Sequence, residues 1–181
     1  RHRAVAAEAG VPLSATTYYF KDINDLITDT FALFIERNAA QMSAFWVGIE
    51  VQFQQLLAGL TDDDQSRQQL IERCVAVAIT YVQTQLSNNR DSLRAEQAFR
   101  LEALLNPGLV ALAVAQRKIL LQGVIRFFRV LGSAQPDEDA QMLTAIILQL
   151  EYQGLLNGVD NLNVDEMQAL LRRYLRLVMG L

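Results

Sequence analysis

The sequence predicts an all-α protein, built as a short helix-turn-helix unit followed by a longer all-helical domain. Three observations predict it. Apolar residues recur in steps of three and four along most of the 181 residues, and no stretch alternates with the period of two that a half-buried strand requires. The three prolines all stand at plausible element boundaries. Two short helical patterns meet at Gly10, inside residues 2–27, and a third follows at once.

A first helix is expected from about His2 to Glu8, with Val5 and Ala9 one turn apart and facing inward. Gly10 ends it, because glycine takes the left-handed backbone of a tight C-cap at no steric cost. Val11 anchors the turn. Pro12, with its fixed φ, and Ser14, whose hydroxyl can accept an orphan amide, favour a new helix over about 13–19. So short a helix must be held against a neighbour. Asp22 with Asp25 three positions on has the form of a capping box. It opens a helix carrying Leu26, Ile27, Phe31, Phe34 and Ile35 to about Phe45. Residues 46–60 read as a further helix or a bent continuation, stopped by Gly59 and the Asp62-Asp63-Asp64 cluster.

From Gln65 to Leu86, Leu70, Ile71, Cys74, Val75, Ala78, Tyr81 and Val82 follow helical steps, which predicts a strongly amphipathic helix. Ser87 to Asp91 breaks the pattern, and a shorter helix from about Ser92 to Leu105 follows. Asn106-Pro107 opens a long helix to about Leu131, closed by Gly132. Gln135-Pro136 starts the next, which runs to Asn157-Gly158, and Asn163 with Glu166 caps the last. Residues 142–156 are apolar nearly all round, whereas 167–178 carry one stripe with Arg172, Arg173 and Arg176 outside it. A helix apolar all round needs cover on two sides. One side is its own core; the other is expected to be a second subunit, giving a four-helix bundle across a two-fold axis. Ile147, Glu151, Leu155, Leu171, Tyr174, Leu175 and Val178 are the interface candidates. A monomer with an all-internal bundle is the alternative.

Composition narrows the function. The net charge of −4 argues against nucleic-acid binding by the whole surface, and within residues 1–25 Arg1, Arg3 and Lys21 balance Glu8, Asp22 and Asp25. No apolar run reaches the roughly 18 uncharged residues of a membrane span, so no membrane partner is expected. Cys74 is the lone cysteine, which fits a reducing cytoplasm and a buried small hydrophobe. No glycine-rich phosphate loop, metal-ligand cluster or nucleophile with a base is visible; His2 is the only histidine. Glu96 and Glu102 have Arg94 and Arg100 interleaved, which reads as solvated ion pairs rather than acid and base groups. Neither an enzyme nor a cofactor or metal is expected. An apolar pocket is the more credible site, with Phe45, Trp46, Phe53, Tyr81, Phe99, Phe127, Phe128 and Tyr152 on helices that could enclose one, and Gln149, Glu151 and Gln153 placed either to orient a ligand or to hydrogen-bond across a dimer. Aromatics at helical spacing also fill ordinary cores.

The run from Ala9 to Leu26, AGVPLSATTYYFKDINDL, resembles the DNA-binding signature of TetR-family transcriptional regulators, roughly A-G-V-S-x-G-T-L-Y-Y-H-F-x-S-K-E-x-L. Ala9, Gly10, Val11, Tyr18, Phe20 and Leu26 fall on the family's positions, and Asp25 keeps an acidic one. Thr16 stands where a core leucine is usual, Thr17 replaces the first tyrosine of the pair, and Ile23 replaces a phosphate-reaching lysine. The resemblance implies a DNA-binding unit over residues 1–21, an effector-binding and dimerisation domain over 22–181, a palindromic double-stranded operator and a small, largely apolar effector. It also implies a helix before Arg1, so the DNA-binding unit is expected to be incomplete. Ser14, Thr16, Thr17, Tyr18 and Tyr19 become candidates for base or phosphate contact, with Arg3 and Lys21 at the DNA backbone. In the family, dimers usually form through the final helix pair, and effector binding usually releases DNA. A ligand carrier or interaction dimer that keeps the fold without binding DNA is the second reading, to which the changes at Thr17 and Ile23 point.

Overall fold

The computed structural model describes residues 2–59, 61 and 63–180; Arg1, Leu60, Asp62 and Leu181 lie outside the described residues. The elements are α1 (His2–Glu8), α2 (Leu13–Tyr19), α3 (Ile23–Ala58), α4 (Asp64–Asn88), α5 (Arg90–Leu105), α6 (Val110–Val130), α7 (Pro136–Asn157) and α8 (Val164–Met179). Single 3₁₀ turns precede α6 and α8, and no strand occurs among the described residues.

The first turn forms as its glycine requires. Gly10 has φ +65°, the Gly10 amide donates to the Ala7 carbonyl at 3.3 Å, and the Val11 amide donates to Ala6 at 3.0 Å. This is the paired bonding of a Schellman cap. Two details differ from expectation. Ala6, not Val5 or Ala9, is the buried residue of α1. Pro12 rather than Ser14 is the N-cap of α2, and it makes no side-chain cap bond. The helix begins at Leu13, so the Ser14 hydroxyl arrives too late to reach an orphan amide.

α3 is a single helix of 36 residues. Asp22 starts it by accepting from the amides of Asn24 (2.8 Å) and Asp25 (3.0 Å), while the Asp25 carboxylate accepts from the Lys21 amide at 3.1 Å. No proline interrupts the sequence from 23 to 58, and an isolated Gly48 weakens a helix by about 1 kcal/mol without breaking it. The length matters for function, because α3 enters two separate cores. Its first half packs Phe31 and Ile35 with Ala103 and Leu109, and its second half puts Ile49 and Phe53 into the main core with α4, α6, α7 and α8.

The main core is close-packed around α4. Ile71, Val82, Phe128 and Leu171 are all but completely buried, each burial worth roughly 1.5–3 kcal/mol. Two glycines permit the tightest helix crossings. A Cβ on Gly154 would meet Leu86 Cδ1 at 2.2 Å, and one on Gly123 would meet Trp46 Cδ1 at 2.1 Å. α8 is fastened to α4 by Arg172, whose Nε and Nη2 donate to Glu72 at 2.7 and 2.8 Å, and this guanidinium holds the Glu72 carboxyl below its ordinary range. The Tyr174 hydroxyl donates to the Asp139 carbonyl at 2.5 Å, joining α8 to the start of α7.

Residues Pro107–Val130 are long and apolar enough by composition to cross a membrane. In the fold Val124, Phe127 and Phe128 of this stretch join the main core, and Arg117 and Lys118 interrupt it.

Candidate functional site

Two regions carry chemistry. The first is the surface of α1 and α2. Arg3, Ser14, Thr17, Tyr18, Tyr19 and Lys21 are all exposed. Ser14, Thr17 and Tyr18 lie three and four residues apart and so share one face of α2. Tyr18 is 82% exposed, and its ring meets that of Tyr19 edge to face at 5.0 Å. Thr16 does not join them. It is 7% exposed, and its hydroxyl donates to the Leu13 carbonyl at 2.9 Å, so it is a core residue rather than a contact for another molecule. The Thr17 hydroxyl bonds weakly within its own helix, to Leu13 and Ser14 at 3.3 Å, and keeps its acceptor side free.

The second region is a cavity of about 180 Å³ enclosed by α3, α4, α5, α6, α7 and Leu175 of α8. One wall is aromatic and continuous: Tyr81 lies 5.1 Å from Phe45, Phe45 5.2 Å from Trp46, and Trp46 6.0 Å from Phe127, ring centre to ring centre. Ile49, Cys74, Val124 and Ile147 add aliphatic and thiol surface. The polar lining comprises Asn38 and Gln41 of α3, Gln85 of α4, Asn89, Ser92 and Glu96 of α5, and Thr144 and Glu151 of α7. The Thr144 hydroxyl and the Trp46 Nε1 are buried with no hydrogen-bond partner among the described residues.

Glu151 is the unusual member. It is 3% exposed and makes no hydrogen bond or ion pair among the described residues. Burial first, and the Glu96 carboxylate second, push its carboxyl up to about 8, against a smaller opposing pull from Arg100. Arg100 is already engaged, with Nη2 2.5 Å from Glu96 Oε1. Burial and the same two carboxyls raise the Tyr81 phenol well above its ordinary range. Burial pushes the Cys74 thiol up to about 12.

Of the predicted pocket residues, Phe45, Trp46, Tyr81, Phe127 and Glu151 line this cavity; Phe53, Phe99, Phe128, Gln149, Tyr152 and Gln153 do not. Phe53 and Phe128 are filled into the main core, Phe53 edge-on to Phe127 at 4.9 Å and Phe128 against Tyr174 at 6.4 Å. Phe99 stacks on Phe31 at 4.4 Å in the separate smaller core. Gln149 and Tyr152 face outward on α7. The predicted interface set is also revised. Glu151 and Ile147 line the cavity, while Leu171, Tyr174 and Leu175 are buried in the subunit's own core and Leu155 and Val178 pack against it. On the last two helices the large apolar residues left exposed are Met142, Tyr152 and Leu156 of α7 with Leu170 and Leu177 of α8. On α7 they belong to a stripe 142, 145, 149, 152, 156, spaced alternately by three and four residues.

Among the described residues no group of three or more His, Cys, Asp or Glu could hold a metal ion. The family description "Tetracyclin repressor-like, C-terminal domain" matches residues 65–180, which takes in everything from α4 to α8. No curated protein matches the chain. The match covers well over half of the sequence and includes four of the five helices that contribute most of the cavity wall. The chain belongs to the TetR family, through a tetracyclin repressor-like C-terminal domain.

Proposed function

We propose that the protein is a dimeric, ligand-controlled DNA-binding regulator, most simply a repressor released from a palindromic operator when a small molecule fills the cavity. The observation that carries this reading is the long helix α3. It lines the cavity with Asn38, Gln41, Phe45, Trp46 and Ile49 and begins directly beyond the exposed face of α2. A shift at the cavity wall is therefore transmitted along one rigid element to the DNA-reading end. Arg3, Ser14, Thr17, Tyr18, Tyr19 and Lys21 are the proposed DNA contacts. Two such faces on a symmetric dimer would enter major grooves about 34–36 Å apart.

The dimer is proposed to form through the outer stripe of α7, with Leu170 and Leu177 of α8 beside it. An effector releases DNA only by binding the released state better. A hundredfold preference supplies about 2.7 kcal/mol of coupling. The test uses the complete protein with fragments of its own genome at low salt. A palindromic fragment near its own gene should be retained, with affinity falling as salt rises. Retention of no fragment sinks the DNA reading and leaves the second one, a ligand carrier on the same fold. The balanced charge of residues 1–25 favours that alternative.

A further inference from the structure

We infer that the cavity takes an organic cation, an ammonium group carried on a ring or short apolar body, with Glu151 as its counter-charge and the Tyr81–Phe45–Trp46–Phe127 wall as its aromatic face. The inference rests on reading the cavity as the effector site and goes further by fixing the ligand's charge.

The argument begins with what the cavity lacks. Among the described residues its charged lining is Glu96 and Glu151, both acids, with no Lys or Arg. Glu96 already has a cation, Arg100, at 2.5 Å. Glu151 has none, although a buried carboxylate is normally paired or hydrogen-bonded because its desolvation is otherwise uncompensated. A carboxyl kept unpaired at the wall of a ligand-sized space is a site lacking its partner. An anionic ligand would meet two acids there, and a purely apolar one would leave Glu151 uncompensated. A cation satisfies it.

The aromatic wall fits the same ligand. Four aromatic rings follow one another at 5.1, 5.2 and 6.0 Å, and ring faces attract ammonium groups through the aromatic quadrupole. The size is right as well. About 180 Å³ exceeds the roughly 150 Å³ that admits a benzene ring, leaving room for one small charged group.

Protonation follows from the surroundings of Glu151. The groups facing it are Glu96 with Arg100 on α5, Tyr81 and Cys74 on α4, and Thr144 on its own helix; α3, α6 and α8 contribute no titratable side chain to the cavity. Arg90 of α5 is committed to the Leu155 carbonyl at 3.2 Å. Tyr81 and Cys74 remain protonated throughout the neutral range. Glu151, raised to about 8, is mainly neutral in the empty cavity at pH 7 and gives up its proton when a cation arrives.

The experiment titrates the full chain with phenyltrimethylammonium, its uncharged isostere tert-butylbenzene, and benzenesulfonate, following the fluorescence of Trp46, the only tryptophan. The cation should bind, with affinity rising close to tenfold per pH unit from 6 to about 8 and levelling above, while tert-butylbenzene shows no pH dependence. Glu151→Gln should weaken the cation at least tenfold at pH 8 and leave tert-butylbenzene within twofold. That second arm also verifies that the variant is folded. Phenyltrimethylammonium has no titratable proton, so calorimetry at pH 7 in two buffers should count nearly one proton released by the protein, and none from the Gln variant. Binding of tert-butylbenzene or benzenesulfonate without the cation overturns the inference while the cavity still counts as a ligand site. Cation affinity indifferent to Glu151 also overturns it. If none of the three perturbs Trp46, the effector-site reading falls instead.

Discussion

Gly123→Ala isolates the contact that shapes the cavity wall. The added methyl would lie 2.1 Å from Trp46 Cδ1, 2.3 Å from Nε1 and 2.4 Å from Cγ, whereas ordinary contact begins at 3.4 Å. The indole must therefore retreat by more than 1 Å, and it is a rigid ring rather than a flexible side-chain end. Two opposing effects set the outcome. Alanine in place of a helical glycine stabilises by about 1 kcal/mol. Forcing a methyl into packed surface costs about 1–3 kcal/mol. The net expectation is a loss of up to about 2 kcal/mol in the native protein, together with a smaller cavity, since the displaced Trp46 lines it. In a Trp46→Ala background, which has no atom beyond Cβ, the clash is removed and the same substitution should become stabilising by up to about 1 kcal/mol. Urea unfolding followed by circular dichroism, at one fixed protein concentration, measures all four corners of the cycle. Equal effects of Gly123→Ala in both backgrounds, or a stabilised single variant, would refute the close packing of α3 on α6 at this point.

Other expectations follow from the same geometry. Replacing Tyr18 with Ala removes an 82% exposed ring, so stability should change by no more than about 0.5 kcal/mol while operator affinity drops about tenfold; joint loss of both would mark the residue as structural. Leu156→Glu puts a charge on a side chain 67% exposed in the single subunit, and sedimentation equilibrium should find the dimer weakened at least a hundredfold with helicity unchanged. Cys74, its thiol raised to about 12, should react with a charged thiol reagent too large for the cavity only at the rate of unfolding, and prompt labelling of the native protein by it would contradict the burial of Cys74. Glu151 gives a pH signature without ligand. Its folded carboxyl holds the proton more tightly than the unfolded one, so native stability should fall as pH rises from about 4.5 to about 8 and then level, and Glu151→Gln should remove that slope in urea titrations.

Local signals made most helix boundaries readable in advance. Glycines at 10 and 132, both at positive φ, end α1 and α6, and Asp22 and Asn163 cap α3 and α8 through their side chains. These features act over three or four residues, so a single sequence displays them. Continuity of α3 across residues 45 and 46 was less legible, because helix and bent continuation share one apolar pattern. What separates them is packing at long range: Phe31 answers to Phe99, and Phe53 to Phe127.

The candidate site was hardest to read where α7 is apolar nearly all round, since a helix with no polar face gives no phase to orient it. Glu151 and Tyr152 illustrate the consequence. Adjacent in sequence, they take opposite places: Glu151 is buried at the cavity, and Tyr152 stands on the outer stripe with Leu156. A carboxylate would ordinarily be assigned to the outside and an aromatic to the inside. The inversion has a physical reading, because a buried unpaired carboxyl lowers stability and an exposed apolar stripe lowers solubility unless each gains a partner. With Thr144, Ile147, Leu148 and Glu151 toward the cavity and Met142, Tyr152 and Leu156 away from it, α7 is one rigid rod between a ligand space and the proposed subunit contact. Gly154, seated against Leu86, fixes its height over α4 and leaves little freedom to shift. In the proposed mechanism a ligand that pushes on Glu151 tilts α7 about that contact rather than sliding it along α4, and so carries the proposed subunit contact on the outer stripe with it.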